Sequence, residues 1–402
     1  MSGSRAQRLA ARRAERRRTV RRGAMVVAAS VVVVAGVVAG ALAAVDDGRA
    51  SDEAARAEVS ASPRLAPLPA VPSASAPTAV KSAAPSPPPK RSTSPAPSPT
   101  TAARDERDEE RTAVTGRLYR HPDSQVLDWV RANSGDPRRA VIASRIAEQP
   151  AAVWFADYAP DTVTARVAAV TSGGAAQGRV PVLVPYAIPG RDCGGHSQGG
   201  APDLDAYDAW IDRFAAGLGT GEVIVVLEPD SVAQTECLSA GRRADRFASL
   251  ARAGRVLKAA NPRARVYYDA GHSGWNAPGK QAAWLRQAGA ASPESSDGIF
   301  SNVSNFHTTA AEVAYDRRVL DALGGPASLG AVIDTSRNGN GAPADGEWCD
   351  PAGRKLGRAP TLSTGEARVD AYLWVKLPGE SDGCKGRPGT FTASYAYDLA
   401  SS

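Results

Sequence analysis

Three carboxylates stand where this sequence could do acid–base chemistry, and the first is Asp230. It follows an apolar run, Val223 to Leu227, within the stretch VVLEPDS at 225–231. A β-branched run of this kind reads as a strand buried on both faces, and here it stops at Glu228, Pro229 and Asp230. Pro229 has no N–H to extend a ladder and fixes its own φ, so the chain must turn and aim Asp230 in a set direction. A carboxyl group on a rigid strand end is suited to giving or taking a proton. The purely structural alternative is that Asp230 caps a following helix through Ser231. The second carboxylate, Asp192, lies among Gly190, Gly194, Gly195, Gly199 and Gly200, whose backbone freedom lets a loop close over a bound molecule. The third, Asp382, sits in the turn-like stretch ESDG.

These groups need a scaffold, and the chain provides it by alternation. Apolar runs at 152–157, 179–187, 222–228, 265–271, 298–305, 331–336 and 371–377 read as strands, with helical patterns near 161–172, 203–218, 242–260, 279–289 and 309–323. In the clearest helix, Phe247, Leu250, Gly254 and Leu257 recur at helical spacing and Asn261–Pro262 stops the run. Repeated strand–helix units mean parallel strands with helices outside, hence a barrel or an open doubly wound sheet. Polar residues decide between them. Trp154, Asp157, Tyr186, Asp192, Asp230, Asp269, His272, Asn305, Asp334, Lys376, Glu380 and Asp382 all fall at or just past the C-terminal end of an expected strand. An open sheet would gather its site at one switch point fed by few strands, whereas contributions from nearly every strand indicate the rim of a barrel. The expected fold class is therefore α/β: a barrel of about seven parallel strands with its cleft at their C-terminal ends.

Charge and composition bound what flanks that barrel. The formal net charge is +6, but residues 1–23 alone hold nine Arg and one Glu, leaving −2 for the remainder. That balance excludes a nucleic-acid-binding surface as the reason for the basic total. Residues 24–45 are uncharged and apolar directly after the Arg cluster, as in a signal peptide or a membrane anchor. The run reaches the roughly 20 residues needed to span a bilayer, while Ala41, Leu42 and Ala43 form a small-x-small cleavage site. Either way the N-terminal segment contacts membrane during export, and the rest ends outside the cytoplasm. Residues 46–113 are rich in Ala, Pro and Ser, with too little apolar surface to offset ordering, and read as an extended linker. The folded domain is expected at 114–402, as a monomer. In an exported chain the four Cys (Cys193, Cys237, Cys349, Cys384) read as two bridges with three possible pairings.

Two motifs, VPYAIPGRDCGG from Val184 to Gly195 and VVLEPDS, resemble the signatures of glycoside hydrolase family 6, the inverting cellulases. DAGHSGW at 269–275, SNVSNF at 301–306, EWCD at 347–350 and WVKLPGESDGC at 374–384 follow in the family's order. The resemblance implies a distorted seven-stranded barrel that hydrolyses β-1,4-glucan without a cofactor or metal. In glycoside hydrolysis by inversion, one carboxylic acid protonates the leaving oxygen and a second carboxylate activates water on the opposite face. By resemblance Asp230 is the acid and Asp382 the candidate base, acting directly or through water. Asp192 is implied to raise the acid's pKa and steady charge at the anomeric carbon, with Glu228 a further neighbour able to disfavour ionisation. Tyr186 would crowd the reacting sugar, and Asp269 would be a further catalytic or orienting group. The family's substrate contacts carry over to Trp154, His272, Trp275, Asn305, Trp348, Lys376 and Glu380, and its bridges to Cys193–Cys237 and Cys349–Cys384.

Flat indole faces suit a pyranose, whose C–H groups pack on the ring while its hydroxyls stay wet. Trp154, Trp275 and Trp348 are expected at the rim, whereas Trp129, Trp210, Trp284 and Trp374 fall within element patterns and read as core. Only 20 residues follow Asp382, and TFTASYAYDLA at 390–400 looks like a closing element. Little chain remains there to roof the groove, so an enzyme cutting inside chains is expected, with a cellobiohydrolase as runner-up. Two other classes compete. A metal-dependent hydrolase could use Asp269 and His272, but the four His form no HxH or HExxH pattern. A non-catalytic glucan-binding protein would be expected to have lost one of the three aspartates.

Overall fold

A computed structural model describes residues 116–195 and 197–401; the expectations for 1–23, 24–45 and 46–113 lie outside these residues. Its strands are β1 (Arg117–Leu118), β2 (Val153–Phe155), β3 (Arg179–Val180), β4 (Val182–Pro185), β5 (Val223–Leu227), β6 (Ala264–Asp269), β7 (Gly298–Ser301), β8 (Gly330–Asp334) and β9 (Val369–Leu373). Its α-helices are α1 (Gln125–Ala132), α2 (Arg139–Ile142), α3 (Val163–Ala176), α4 (Leu204–Ala215), α5 (Ala240–Ala260), α6 (Pro278–Gln287), α7 (Thr309–Leu323) and α8 (Ala393–Ala400).

Seven strands form one all-parallel sheet in the order β2-β4-β5-β6-β7-β8-β9, as expected. β1 and β3 pair as a separate parallel ribbon that the sequence did not announce. The sheet curls until its ends meet at a thin seam. There the Ala152 N–H donates to the Trp374 carbonyl (2.9 Å) and Trp154 Nε1 to the Val375 carbonyl (2.7 Å). The expected strand at 179–187 divides at Pro181, which has no N–H for a ladder. The expected strand at 298–305 ends at Ser301, because Asn302 (φ 66°) and Ser304 (φ 59°) turn left-handed.

Side-chain alternation explains why β5 is apolar throughout. Ile224 and Val226 point into the barrel with Val184, Tyr267, Phe300 and Val332, while Val223, Val225 and Leu227 pack outward against Phe247 and Leu250 of α5. Gly254 brings α5 close to the sheet: a Cβ there would stand 2.0 Å from the Tyr268 hydroxyl and 2.3 Å from the Ser295 carbonyl. α5 starts at a Ser239 cap and stops at Asn261, whose N–H reaches the Leu257 carbonyl. Both faces of the sheet are thus filled, and the strand ends are what remains for chemistry.

Candidate active site

The turn after β5 is strained and heavily tied. Glu228 (φ 52°) and Asp230 (φ 70°) are both left-handed, a conformation that costs a non-glycine residue of order 1–3 kcal/mol. Two buried carboxylates hold it. Glu228 accepts the N–H groups of Ala187 (3.0 and 2.9 Å) and Ile188 (3.0 Å). Asp269 accepts those of Val232 (3.0 Å), Ala233 (2.8 Å) and Gly271 (2.9 Å). Asp230 itself has no such ring of donors; its carboxyl meets the Tyr186 hydroxyl at 3.3 Å. Burial pushes it up to about 7, Asp269 and then Asp192 add to the shift, and Tyr186 opposes it. Two expectations change here. Asp230 caps no helix, since α5 begins only at Ala240. The charge reinforcing Asp192 is that of Asp269, because Glu228 is turned to the backbone of 187–188.

The Asp192 loop is built on left-handed residues, with Gly190 at φ 62°, Asp192 at 56° and Cys193 at 45°. Asp192 Oδ2 accepts the Ser197 N–H at 2.7 Å. Arg191 clasps the loop: it donates to the carbonyls of Ala156 (2.8 Å), Ser197 (2.9 Å) and Tyr186, and lies 4.2 Å over the Tyr186 ring. The Cys193–Cys237 bridge ties this loop to the chain beyond Asp230.

Across the groove, Asp382 is held quite differently. Its Oδ2 accepts from Arg337 at 2.7 Å and from the Asp350 N–H at 3.2 Å, and its Oδ1 faces Lys376 at 3.0 Å. Arg337 is fully buried and also reaches the Tyr395 hydroxyl (3.1 Å) and the Ser304 carbonyl (2.6 Å). Asp334, at the end of β8, accepts the backbone N–H groups of Ser336 (2.9 Å), Lys376 (2.9 Å) and Ser304 (3.3 Å), so it shapes this wall from behind. Cys349 and Cys384 are bridged. Burial pushes Glu380 up to about 7 against the pull of Lys376 and of Gln125, whose amide donates to it at 2.8 Å.

Between the walls runs a groove of about 1520 Å³, lined by Tyr186, Asp192, Asp230 and Asp382 together with Trp154, His272, Trp275, Asn305, Trp348, Lys376 and Glu380. Trp154 stands edge-on to Tyr186 at 5.3 Å, and Trp348 is 53% exposed. His272 stacks on His307 at 4.3 Å and tilts against Trp275 at 5.2 Å; burial and then His307 push it down to about 3, leaving it a neutral hydrogen-bonding ring. Of the two roles expected for Asp269, catalytic or orienting, its place favours the second: it lies outside the groove lining, and its carboxylate is engaged by backbone N–H groups. Of the four Trp read as core, Trp210 and Trp374 are buried, while Trp129 and Trp284 are half-buried beneath Arg138 and beneath Lys280 and Arg243. Among the described residues no group of three or more His, Cys, Asp or Glu is arranged to hold a metal ion. The sequence reading missed Arg191, His307, Arg337 and Asp350. Arg191, Asp350 and His307 stand in or directly after recognised motifs, but Arg337 carries no local signal.

Comparison with known proteins agrees with this architecture. Residues 110–398 match the model of glycosyl hydrolases family 6. Endoglucanase 1 of Streptomyces sp. (strain KSM-9) is 54% identical over 70% of this chain and 77% of its own length. Endoglucanase A of Thermobispora bispora is 49% identical over 72% of this chain and 62% of its own, less than two thirds. Among solved structures, the endoglucanase Cel6 of Mycobacterium tuberculosis, in complex with methyl-cellobiosyl-4-deoxy-4-thio-β-D-cellobioside, aligns with a TM-score of 0.65. It is 39% identical over 71% of this chain and 97% of that one. With a seven-stranded parallel barrel, the aspartates on its rim and a family match across the folded region, the chain belongs to glycosyl hydrolases family 6.

Proposed function

We propose that this chain is an endo-β-1,4-glucanase that cuts internal bonds of the polymer with inversion, using Asp230 as general acid. The observation that carries this reading is the Asp230 carboxyl in an aromatic-walled groove with one long hydrogen bond, from the Tyr186 hydroxyl at 3.3 Å, a setting that pushes it up to about 7. Below that pH Asp230 is protonated and able to donate to the leaving glycosidic oxygen, and such a group contributes about 10²–10⁴-fold. As the bond breaks, positive charge grows at the anomeric carbon, and the carboxylate of Asp192 offers it a compensating charge. The Tyr186 ring, pinned by Arg191 and Trp154, restricts the room available to the reacting sugar. Water then attacks from the face opposite the leaving oxygen. Both oxygens of Asp382 already carry donors from Arg337, Lys376 and Asp350, which supports a base that takes the proton through an intervening water. Trp154, Trp275 and Trp348 are the platforms for the sugar faces, and His272, Asn305, Lys376 and Glu380 supply polar contacts.

An internal cut requires a groove that a chain can enter sideways. The segment after Asp382 supports this, because it folds back on itself: Ser381 N–H meets the Thr390 carbonyl (3.0 Å), and Gly389 N–H meets Ser381 (2.8 Å). The relatives above are named endoglucanases, in keeping with it. Two disulfides and the Arg-rich, apolar N-terminus support action outside the cytoplasm, secreted or tethered to the membrane's outer face. The test follows both products and viscosity during digestion of carboxymethylcellulose and a cello-oligosaccharide. The expected result is an early fall in viscosity after few cuts and a new reducing end that is α in the first minutes of a proton NMR time course. Initial β product overturns inversion, and steady cellobiose release at constant viscosity replaces the endo reading by a cellobiohydrolase.

A further inference from the structure

Asp350, the last residue of the EWCD motif, is given no role by the reading above, and its surroundings are the most organised of any carboxylate near the groove. It is buried, 3% exposed, and lies outside the groove lining. Its Oδ1 accepts the Asp382 N–H at 2.7 Å. Its Oδ2 accepts the Ser381 hydroxyl (2.5 Å) and the N–H groups of Lys385 (2.8 Å) and Cys384 (3.0 Å). In return, the Asp350 N–H donates to Asp382 Oδ2 at 3.2 Å. The two aspartates therefore hold each other reciprocally, each offering its backbone N–H to the other's carboxylate. Asp350 does this at φ 48°, a conformation an Asp keeps only where its surroundings dictate it.

Burial alone would push Asp350 up. The Ser381 hydroxyl and the backbone N–H groups outweigh it and bring the carboxyl below its ordinary value, so the clamp is ionised throughout the working range. The adjacent Cys349–Cys384 bridge joins the same two segments, but a bridge fixes only two Cα positions, whereas the carboxylate fixes the direction of three backbone N–H groups, those of Asp382, Cys384 and Lys385. From these contacts we propose that Asp350 is a positioning residue that aims the Asp382 carboxylate at the attacking water. This rests on the reading of Asp382 given above. Asp350 touches no substrate, and its effect passes through the backbone of 381–385.

Misplacing a reacting group by about 1 Å can cost ~10²-fold in rate. Asp350→Asn keeps the shape but replaces one acceptor oxygen by a donor facing other donors. In the full chain it should lower kcat on a soluble β-1,4-glucan by about 10–100-fold and leave KM within about two-fold, since Trp348 and Lys376 still bind sugar. In the Asp382→Asn background the same change should cost nothing further, because its route of action is already gone. Ser381→Ala, a milder loss from the same clamp, should give a smaller fall in kcat in the same direction and serves where Asp350→Asn fails to fold. A non-reduced digest reports whether Cys349–Cys384 remains joined. The proposal is overturned if Asp350→Asn leaves kcat unchanged, if KM rises while kcat holds, or if the two substitutions are additive. Should Asp382→Asn alone leave activity intact, the reading of Asp382 fails first, and the role of Asp350 goes with it.

Discussion

The two walls of the groove carry aspartates of opposite design. Asp230 has one weak partner, the Tyr186 hydroxyl at 3.3 Å, and two negative neighbours in Asp269 and Asp192. Asp382 has Arg337, Lys376 and a backbone N–H packed onto its two oxygens. Both are the same residue type in the same groove, so residue type alone does not set their roles; the donors and charge around each do. A carboxyl group short of donors keeps its proton and can act as an acid. One held by Arg337, Lys376 and a backbone N–H has its oxygens fixed in direction and can organise water. Both walls have left-handed residues held by a buried carboxylate, Glu228 and Asp230 on one side and Asp350 on the other, so the difference lies in the donors that reach each aspartate.

The largest break in this contrast is Asp230→Asn, which removes the proton donor and keeps the shape. Turnover of unactivated β-glucan should fall by about 10³-fold or more, while an aryl glycoside with a good leaving group should keep far more activity because it needs less protonation. Equal loss on both substrates, measured by steady-state kinetics, would mean that Asp230 is not the acid.

Arg337→Met attacks the other wall. It leaves Asp382 buried without its strongest partner, a change that costs about 3–5 kcal/mol when one member of a buried pair is lost. The melting temperature and kcat should fall together. An unchanged melting temperature would show that Asp382 does not depend on Arg337.

The smallest expected difference sharpens the contrast. Opening Cys193–Cys237 by Cys-to-Ser substitution of both residues should lower activity more than opening Cys349–Cys384, because Asp350 duplicates the second tie at the bridged residue itself through the Cys384 N–H, whereas the Arg191, Arg246 and Ser197 bonds that support the first loop do not reach Cys237. A disulfide is worth about 2–4 kcal/mol to stability, so both variants should melt earlier. Relative activity at a temperature where both are folded makes the comparison, and the reverse order would contradict it.

How much of this was legible before the fold was known follows from how far each interaction reaches along the chain. The seven strands of the sheet, the five helices between them and the position of Asp230 were readable, because apolar runs and a Pro-bounded turn are local features, whereas β1, α1 and α2 were not expected. The boundaries that moved did so for local reasons not written in hydropathy, namely Pro181 inside one run and left-handed Asn302 at the end of another. The electrostatics were readable only in part: Asp192 was named as a neighbour that raises Asp230, but the stronger contribution was not. Glu228 sits two residues from Asp230 and proved to be occupied with 187–188, whereas Asp269, 39 residues away, supplies the charge. Arg337, an ordinary arginine in a run of polar residues, becomes the chief partner of Asp382 only when β8 and the loop after β9 are brought side by side. Its burial at 0% has no precursor in the sequence. Motifs pointed to the right loops, and only packing revealed which carboxylates look into the groove.

The central claim is the protonation state of Asp230, and carbon-13 NMR of the Asp-labelled full chain measures it directly, with Asp230→Asn identifying the resonance. Asp230 is a carboxyl raised above its ordinary value by burial, so it should hold its proton through the acid range and lose it with a midpoint near 7, and the upper limit of kcat/KM against pH should fall at the same place. A midpoint near the model-peptide value of about 4 would contradict the account, because the acid would then be ionised at the pH where it must donate.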